Sequence, residues 1–590
     1  MSLLEISSLC IRYPGASAPA VDNLSLSIAT GEALGLVGES GSGKTQTAMA
    51  VMGLLPANAR TSGSIRFAGT EMLGAPPTVL NEFRACRIGM IFQDPSAALN
   101  PYLRIGDQLR RILLEHDLCS RREARERTVQ MLNKVGLPDP ERQYRAFPHQ
   151  LSGGMRQRAM IGAALLAEPD LIIADEPTTA LDVTVQAQIL RLIRELRRES
   201  NTALILITHD LGVIAGNCER MQVLDGGSMV EEGATTHVFS SPRTERTRRL
   251  LAAAPRLDSI PMVEASGEEP ETVLQVENVV VSFAERGGQR LTAVNRMNVR
   301  LSRGETLAVV GESGSGKTSL ARAVLGLISP DSGTVSFLGR PLESHVRQRP
   351  NDVRRRLQMV FQDPMTSLNP ALTIRDIVAE PLHVHEPRMT RPDIADAVAR
   401  MLERVGLGAE LANRFPHELS GGQAQRVAIA RALIIKPSVL VCDEAVAALD
   451  GTVRQEILEL LTSVQERSGL SLIFITHDIA VVRQISHRVM VMYLGRLFEL
   501  ADNDALFSKP GHPYTKALLN AVPIPDPAAV SRDEPLAGEV SSILNPPEGC
   551  VFHPRCRHAI ASCRSSAPTP KGDRNHLVAC HRASELDLSY

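Results

Sequence analysis

The chain has 590 residues, a length typical of several domains, and its 43% hydrophobic and 22% charged residues are typical of a globular protein. Lysine and arginine total 64 against 66 aspartate and glutamate, and the resulting net charge of −2 argues against a nucleic-acid-binding protein. No apolar run in the sequence approaches the roughly 20 residues that span a bilayer, and the N-terminus lacks the pattern of a signal peptide. We therefore expect a cytosolic chain that contacts a membrane only through a partner.

A long internal repeat dominates the sequence, with the same motifs in the same order in both copies. The octapeptide GESGSGKT occupies residues 38–45 and 311–318, and FQDP, LSGG, DE, ALD and ITHD follow it in each copy. The LSGG motifs begin 268 residues apart, at Leu151 and Leu419. A period this long indicates a duplicated domain. We predict a first domain over 1–255, a linker over 256–272, a second domain over 273–523 and a cysteine-rich tail over 524–590.

In each copy, a short apolar strand precedes the glycine-rich loop and apolar residues at helical spacing follow it. The later segments DLIIAD, ALILIT, SVLVCD and SLIFIT are typical of buried parallel strands. Each is followed by polar residues, and functional groups at the carboxyl ends of parallel strands are characteristic of an α/β sheet. The sequence therefore predicts two α/β domains in tandem.

The octapeptide matches the pattern of a phosphate-binding loop. Its glycines let backbone N–H groups point at phosphates, Lys44 or Lys317 supplies positive charge, and Thr45 or Thr318 supplies an oxygen to Mg²⁺. A chance glycine-rich turn is the alternative, but the flanking strand, helix and second copy disfavour it. The other loop residues predicted to bind ATP are Gly38, Ser40, Gly41, Gly43, Gly311, Ser313, Gly314 and Gly316.

The acidic pairs that end two of the predicted strands suggest hydrolysis. Asp175 and Asp443 are placed to hold Mg²⁺, and Glu176 and Glu444 follow as residues that polarise the attacking water. An isolated acidic pair is often only a helix cap, and an isolated histidine after a strand is often structural. Their recurrence in both copies favours catalysis, and it adds the ITHD histidines, His209 and His477.

Taken in order, these motifs resemble the nucleotide-binding domain of ATP-binding cassette (ABC) proteins. The resemblance implies P-loop NTPase domains with a RecA-like core and a helical subdomain, arranged head to tail within one chain so that ATP lies between them. The loop of each copy would then face the LSGG motif of the other. The further residues that the resemblance implies in ATP binding are Ser152, Gly153, Gly154, Asp182, Ser420, Gly421, Gly422 and Asp450, with Gln93 and Gln362 also at Mg²⁺.

Two features of the resemblance leave alternatives open. Tyr13 and Phe283 occupy the positions where the family stacks an aromatic ring on adenine, but ordinary surface or core roles are also open. The second copy reads DEAVAALD where the first reads DEPTTALD, so the two sites need not have equal rates.

Three further segments narrow the resemblance to the ATPases of dipeptide and oligopeptide importers, including nickel-uptake relatives. They are the LNP that follows each FQDP, GHPYTKALLNAVP at 511–523 and EGCVFHPRC at 548–556. The resemblance implies ATP-driven peptide import through two membrane permeases, fed by an extracytoplasmic solute-binding protein, with this chain peripheral on the cytoplasmic face of the inner membrane. The alternative is a soluble twin-cassette factor acting on ribosomes, which the acidic linker disfavours.

The cysteine-rich tail contains four thiols in its last 41 residues, at Cys550, Cys556, Cys563 and Cys580. Four thiolates can hold a [4Fe–4S] cluster or Zn²⁺. Structural zinc sites usually contain pairs of cysteines with about two to four residues between them, and these four cysteines form no such pair. In importer ATPases, a similar tail holds a [4Fe–4S] cluster, and that is our prediction. Zn²⁺ and unmetallated thiols remain alternatives, and the alternative ligands are His553, His558, His576 and His581.

Overall fold

The computed structural model describes most of the chain. The described residues are 2–39, 41–178, 181–259, 261–263, 271–284, 290–446, 449, 451–529, 536, 538, 541, 543–573 and 575–589. They form two compact units. The first comprises Met1–Leu181, Val185–Ala254 and Pro523–Arg532, and the second comprises Asp182–Thr184, Pro255–Val522 and Asp533–Tyr590.

The first repeat contains ten strands and eleven α-helices among its described residues. The strands are β1 Ser2–Arg12, β2 Val21–Ala29, β3 Ala33–Gly38, β4 Arg60–Phe67, β5 Thr70–Glu71, β6 Ile88–Ile91, β7 Leu171–Asp175, β8 Ala203–Thr208, β9 Arg220–Asp225 and β10 Ser228–Ala234. The helices are α1 Lys44–Val51, α2 Pro77–Phe83, α3 Pro95–Ala98, α4 Ile105–Glu115, α5 Arg121–Lys134, α6 Pro140–Arg145, α7 Gly153–Leu165, α8 Val183–Ser200, α9 Leu211–Asn217, α10 Thr235–Ser240 and α11 Glu245–Ala252.

Two sheets organise the first unit. A four-stranded antiparallel sheet has the order β2-β1-β4-β5, and a six-stranded sheet has the order β10-β9-β3-β8-β7-β6. In the larger sheet, β3 lies parallel to β8 and β9, and β7 lies parallel to β6 and β8. Every residue of β3, β7 and β8 is buried, as expected for apolar parallel strands covered on both faces. The loop that follows β3 therefore starts from the centre of a rigid sheet.

The segment between β6 and β7 is helical and forms a core of its own. Helices α4, α5 and α7 bury apolar residues spaced by three or four positions, such as Ile105, Leu109 and Leu113 of α4. Side chains cap two of these helices, since Ser120 accepts from the N–H of Glu123 and Ser152 accepts from the N–H of Met155. The helical region thus has defined starts, and the second start falls on the LSGG motif.

The second repeat and the tail contribute twelve strands and eleven α-helices among their described residues. The strands are β11 Thr272–Ala284, β12 Arg290–Ser302, β13 Thr306–Val310, β14 Ser332–Phe337, β15 Arg340–Pro341, β16 Leu357–Val360, β17 Val439–Asp443, β18 Ser471–Ile475, β19 Arg488–Tyr493, β20 Arg496–Asp502, β21 Lys571–Gly572 and β22 His576–Val578. The helices are α12 Lys317–Val324, α13 Asn351–Arg356, α14 Pro364–Ser367, α15 Ile374–His385, α16 Arg391–Arg404, α17 Gly421–Leu433, α18 Gly451–Ser468, α19 Ile479–Ile485, α20 Asn503–Ser508, α21 Pro513–Asn520 and α22 Ala561–Ser565.

The second unit repeats the same plan and extends it with the tail. Its smaller sheet has the order β12-β11-β14-β15, and its larger sheet has the order β16-β17-β18-β13-β19-β20-β22-β21. The tail strand β22 pairs antiparallel with β20, with Leu577 opposite Leu500. The prediction of two tandem α/β domains is confirmed, and the tail adds two strands to the second sheet. Within the described residues, no helix is both long and apolar enough to cross a membrane.

Candidate ATP-binding sites

In the first repeat, the phosphate loop connects β3 to α1 and wraps around a buried lysine. The Nζ atom of Lys44 donates to the carbonyl oxygens of Gly38 and Glu39, each at 2.8 Å, and lies 3.2 Å from the Ser42 hydroxyl. These contacts hold the ammonium group at the centre of the loop, where it can meet a phosphate. Ser40, also predicted to bind ATP, lies outside the described residues.

The second loop connects β13 to α12 and has the same geometry. Lys317 Nζ donates to the carbonyl oxygens of Gly311 at 2.7 Å and Glu312 at 3.0 Å. Burial lowers the pKa of Lys317, and neighbouring carboxylates oppose that shift. A phosphate bound in this loop would supply the negative charge that a buried ammonium group needs.

The last glycine of each loop has a conformation and surroundings that no other residue suits. Gly43 and Gly316 both have φ of +94°, in the left-handed region. A Cβ atom would lie 2.5 Å from the carbonyl oxygen of Ala20 at Gly43, and 2.0 Å from that of Ala293 at Gly316. The earlier glycines Gly41 and Gly314 also have positive φ, but nothing lies within 4 Å of their Cβ positions.

Each loop presents a threonine to the aspartate that ends a neighbouring strand. Thr45 donates its hydroxyl to Asp175 at 3.2 Å, and Thr318 donates to Asp443 at 3.0 Å. Burial raises the pKa of both aspartates, because each carboxylate is largely removed from water. A cation would offset that cost, and a hydroxyl beside a carboxylate is a donor set that Mg²⁺ prefers. The residues present therefore fit a Mg²⁺ ion.

A glutamate, a glutamine and a histidine meet beside this aspartate in the first repeat. Gln93 Nε2 donates to Glu176 at 2.9 Å, and Nδ1 of His209 lies 3.1 Å from the other Glu176 oxygen. Glu176 has φ of +46°, a strained value for a residue with a side chain. The strained turn and the two hydrogen bonds fix the carboxylate after the carboxyl end of β7.

The second repeat brings together the same three residue types. Gln362 Nε2 donates to Glu444 at 2.6 Å, His477 Nδ1 lies 3.5 Å from Glu444, and φ of Glu444 is +50°. Burial favours a higher pKa for Glu444, but His477, the charge of Lys317 and the hydrogen bond from Gln362 together lower that pKa. Burial likewise opposes the charged form of His477, but Glu444 raises its pKa. The pair therefore favours an ionised carboxylate, the form that acts as a base.

The LSGG motifs lie at the N-termini of α7 and α17. Ser152 accepts from the N–H of Met155, and Ser420 accepts from the N–H of Gln423, whose side chain accepts in return from the N–H of Ser420. Gly153 and Gly421 have nothing within 4 Å of their Cβ positions, so their backbone is accessible. Such an N-terminus suits an anion. The pairing of each motif with the opposite phosphate loop stays a prediction.

The remaining residues predicted to bind ATP occupy mixed surroundings. Asp182 belongs to the second unit, where its carboxylate accepts from the N–H of Ser313 at 2.7 Å. The Tyr13 ring packs against the first core and its hydroxyl donates to Gln46, whereas Phe283 is 39% exposed. Adenine stacking by either ring stays a prediction. Asp450 lies outside the described residues.

The four tail cysteines lie along one small cavity. It is lined by Cys550, Cys556, Cys563 and Cys580 together with His512, Pro513, Phe552, His553, His558, His581, Arg582 and Leu586. Burial raises the pKa of Cys550, Cys556 and Cys580, that of Cys556 to about 11, and the neighbouring thiols add to each shift. Even so, no three or more His, Cys, Asp or Glu residues in the described part of the chain are grouped to hold a metal ion.

The histidines considered as alternative ligands are mostly engaged elsewhere. His553 Nδ1 lies 3.0 Å from the carbonyl oxygen of Cys550, and His581 Nε2 lies 2.9 Å from that of Ser566. His576 pairs with Glu499 at 2.7 Å. The cavity thus offers thiols more readily than imidazoles.

Sequence reasoning missed the partner of the glutamate in each phosphate loop. Glu39 pairs with Arg246 of α11, whereas Glu312 pairs with Arg555 of the tail. The octapeptide repeats the glutamate in both copies, but its partners come from unrelated positions. The only sequence signal was the HPR triplet before Cys556, which by itself indicates no contact.

Comparison with known proteins agrees with this geometry. The family described as ABC transporter matches residues 21–179 and 294–447, and the family described as oligopeptide/dipeptide transporter, C-terminal region, matches residues 498–563.

The similar curated relatives include glutathione import ATP-binding proteins named GsiA. The relative from Pectobacterium atrosepticum is 39% identical over 620 residues, covering 98% of this chain and 97% of the relative. The relative from Escherichia coli strain K12 is 42% identical over 554 residues, covering 88% of each chain. Among solved structures, a dimeric bacterial ABC transporter cassette is 28% identical, with a TM-score of 0.36 over 39% of this chain and 98% of that chain.

Proposed function

Since this chain belongs to the ABC transporter family of ATP-binding proteins and carries the C-terminal region of oligopeptide/dipeptide transporters, we propose that it hydrolyses ATP to energise peptide import. One observation carries the proposal: in both repeats a buried lysine loop, a buried aspartate and a glutamate held by glutamine and histidine occur together. Phosphoryl transfer needs mainly positioning and charge stabilisation, and this arrangement supplies both.

The roles of the residues follow from their atoms. Lys44 and Lys317 bind the phosphates of ATP, while the hydroxyl of each following threonine and the carboxylate of Asp175 or Asp443 hold Mg²⁺. That ion neutralises charge on the phosphate oxygens when it is bound. Glu176 and Glu444 polarise the attacking water. His209 and His477 orient those carboxylates through their Nδ1 atoms, and Gln93 and Gln362 do so from the opposite side.

The proposed solutes are short peptides. The relatives are named for glutathione import, and glutathione is a tripeptide, so it is the first solute to test. We assign the chain to the cytoplasmic face of the inner membrane as a peripheral subunit. Its proposed partners are two membrane permeases, with an extracytoplasmic solute-binding protein in the full complex and no nucleic acid. Co-purification of the chain with detergent-solubilised permeases tests that assignment.

Within the chain, the two repeats are proposed to pair head to tail, with one ATP between each phosphate loop and the opposite LSGG motif. The occurrence of a phosphate loop and an LSGG motif in each repeat supports this arrangement. The alternative of a ribosome-acting factor is not supported, because the relatives reported above are import proteins.

Hydrolysis is tested by replacing the two glutamates with the isosteric amide. Glu176→Gln and Glu444→Gln should each lower ATPase activity by about 10²-fold or more, because the amide is not a base. Nucleotide binding, measured with a fluorescent ATP analogue, should be retained and serves as the control for folding. Full ATP turnover by the double variant would refute the assignment of both glutamates.

We also propose a [4Fe–4S] cluster held by Cys550, Cys556, Cys563 and Cys580. The proposal is supported by the four thiols along one cavity, and their wide spacing in the sequence suits a cluster, whose irons are spread apart, better than one Zn²⁺ ion. When bound, such a cluster ties its four ligands together and can carry an electron.

Anaerobically purified protein should contain iron and show a broad visible absorption shoulder. Cys563→Ser should remove both signals, whereas the matched control Cys86→Ser, far from the tail in sequence, should keep them. Zinc in place of iron, or iron unaffected by Cys563→Ser, would overturn the cluster.

A further inference from the structure

We propose that Arg555 is a positioning residue through which the C-terminal tail holds the second phosphate loop in its ATP-binding conformation. The inference rests on the proposed function, because it takes the Lys317 loop to be an ATP site. According to this inference, ATP binding at the second site depends on the tail, whereas ATP binding at the first site does not.

The contact between the tail and the loop is a buried, two-pronged ion pair. Nη1 of Arg555 lies 2.6 Å from one Glu312 oxygen, and Nη2 lies 3.0 Å from the other. The two side chains are only 3% and 1% exposed. A buried guanidinium and carboxylate that share two hydrogen bonds are held in one geometry. Loss of either partner would leave the other as a buried charge without compensation. The Glu312 carboxylate also accepts from the Thr184 hydroxyl.

Glu312 transmits this constraint to the lysine that binds phosphate. Its backbone N–H donates to the buried Tyr514 hydroxyl at 2.9 Å, and its carbonyl oxygen accepts from Lys317 Nζ at 3.0 Å. A shift of Glu312 therefore moves an anchor of Lys317 and changes the start of the loop. The loop conformation and the ion pair are linked through a single residue.

The tail presents Arg555 from a rigid position. Arg555 ends the short 3₁₀ helix His553–Arg555, directly before Cys556 and shortly after the buried Phe552. The Phe552 ring packs against those of Tyr493 and Tyr514, with centroids 5.5 and 5.3 Å apart. Arg555 thus reaches the loop from a packed aromatic cluster, so its position depends on the tail being folded.

The first repeat supports its loop in a different way. There the equivalent Glu39 pairs with Arg246, which lies in α11 of the same repeat. The residue 268 positions after Arg246 is Tyr514, so the second repeat has a tyrosine where the first has its arginine. The arginine for the second loop comes instead from the tail. Among the described residues, each loop glutamate has an arginine partner, and that of the second loop comes from the tail and not from the second repeat.

The test measures each site separately with the fluorescent analogue mant-ATP in the full chain. Lys44→Ala leaves the second site to bind, and Lys317→Ala leaves the first. Adding Arg555→Gln to Lys44→Ala should raise Kd about tenfold or more, because small displacements of binding groups are costly. Adding Arg555→Gln to Lys317→Ala should leave Kd within about twofold, because the glutamate of the first loop pairs with Arg246 instead.

Two matched variants separate positioning from general damage to the fold. Arg246→Gln should show the mirror result, weakening the first site and sparing the second. Arg555→Lys keeps the charge but loses the two-pronged geometry, so it should give an intermediate Kd at the second site only. Unchanged first-site binding in the Arg555 variants reports that the rest of the chain is folded.

The outcomes decide between the claims. Equal weakening of both sites by Arg555→Gln and Arg555→Lys, or unchanged binding at the second site in both, overturns the inference while leaving ATP binding intact. If Lys44→Ala with Lys317→Ala binds mant-ATP as well as the natural chain does, the proposed ATP sites fail and the inference fails with them.

Discussion

Replacing Gly43 by alanine should destabilise the first phosphate loop far more than the same change at Gly41 two positions earlier. The two glycines share a loop and a positive φ, +94° and +80°, so the left-handed conformation penalises both alanines similarly. They differ in the room around the Cβ position. A Cβ at Gly43 would lie 2.5 Å from the backbone oxygen of Ala20, whereas a Cβ at Gly41 would have nothing within 4 Å. Gly41→Ala is therefore a matched control.

The magnitude follows from two separate terms. Left-handed φ costs an alanine about 1–2 kcal/mol, and this term applies to both variants. The contact at Gly43 adds about 1–3 kcal/mol, because a backbone oxygen cannot rotate away and the strand that carries it must shift. The free energy of unfolding of the first unit should thus fall by about 1–3 kcal/mol more for Gly43→Ala than for Gly41→Ala.

Thermal unfolding of the full chain without nucleotide measures this difference. For a domain of 150–250 residues, 1 kcal/mol lowers the midpoint by about 2–4 °C, so the two variants should differ by about 2–12 °C. Gly316→Ala and Gly314→Ala repeat the comparison in the second loop, where the contact distance to Ala293 is 2.0 Å. Equal midpoints within each pair would refute the steric argument and leave φ as the only cost.

Two further predictions concern pH. Burial lowers the pKa of His512 from its ordinary value near 6.5 to about 3. Between these two pH values, the unfolded chain binds a proton at this residue and the folded chain does not. The free energy of unfolding therefore falls as the pH falls through this range. In denaturant unfolding from pH 7 to pH 5, His512→Asn should lose less stability than the natural chain, and parallel losses would contradict this. His477→Gln removes the largest of the contributions that lower the pKa of Glu444, so the acid limb of the ATPase pH profile should move to higher pH. An unmoved acid limb would exclude that role for His477.

The sequence predicts the sheets and most of the loop chemistry because these depend on local patterns. Fully apolar segments such as that of β7 form strands covered on both faces, and the polar residue after each one is then fixed at the carboxyl edge. The phosphate loop needs glycines at defined positions, and Gly43 and Gly316 show the reason in their positive φ and close backbone neighbours. Features of this kind can be predicted from the sequence because they depend on residues that are close together in the chain.

The sequence does not predict contacts between residues far apart in the chain, as the loop glutamates show. Nothing in the octapeptide distinguishes Glu39 from Glu312, yet their arginines lie 207 residues and 243 residues further along the chain. The pairing depends on where α11 and the tail pack, and packing is decided by surfaces rather than by motifs. The same limit applies to the tail cavity. The spacing of its cysteines predicts metal ligands, but it does not predict which nearby histidines form other hydrogen bonds.

The two copies of the phosphate loop differ in where the arginine partner of their glutamate comes from. The identical octapeptides place a buried lysine in each loop and a glutamate that pairs with an arginine. The second repeat is followed by a tail that packs on its sheet through β22 and on its loop through Arg555, whereas Arg246 supplies the arginine within the first repeat. The position equivalent to Arg246 holds Tyr514 in the second repeat, and the Tyr514 hydroxyl accepts from the Glu312 backbone N–H. The two proposed ATP sites therefore have closely similar loops, but the arginine that pairs with the loop glutamate comes from α11 in the first and from the tail in the second.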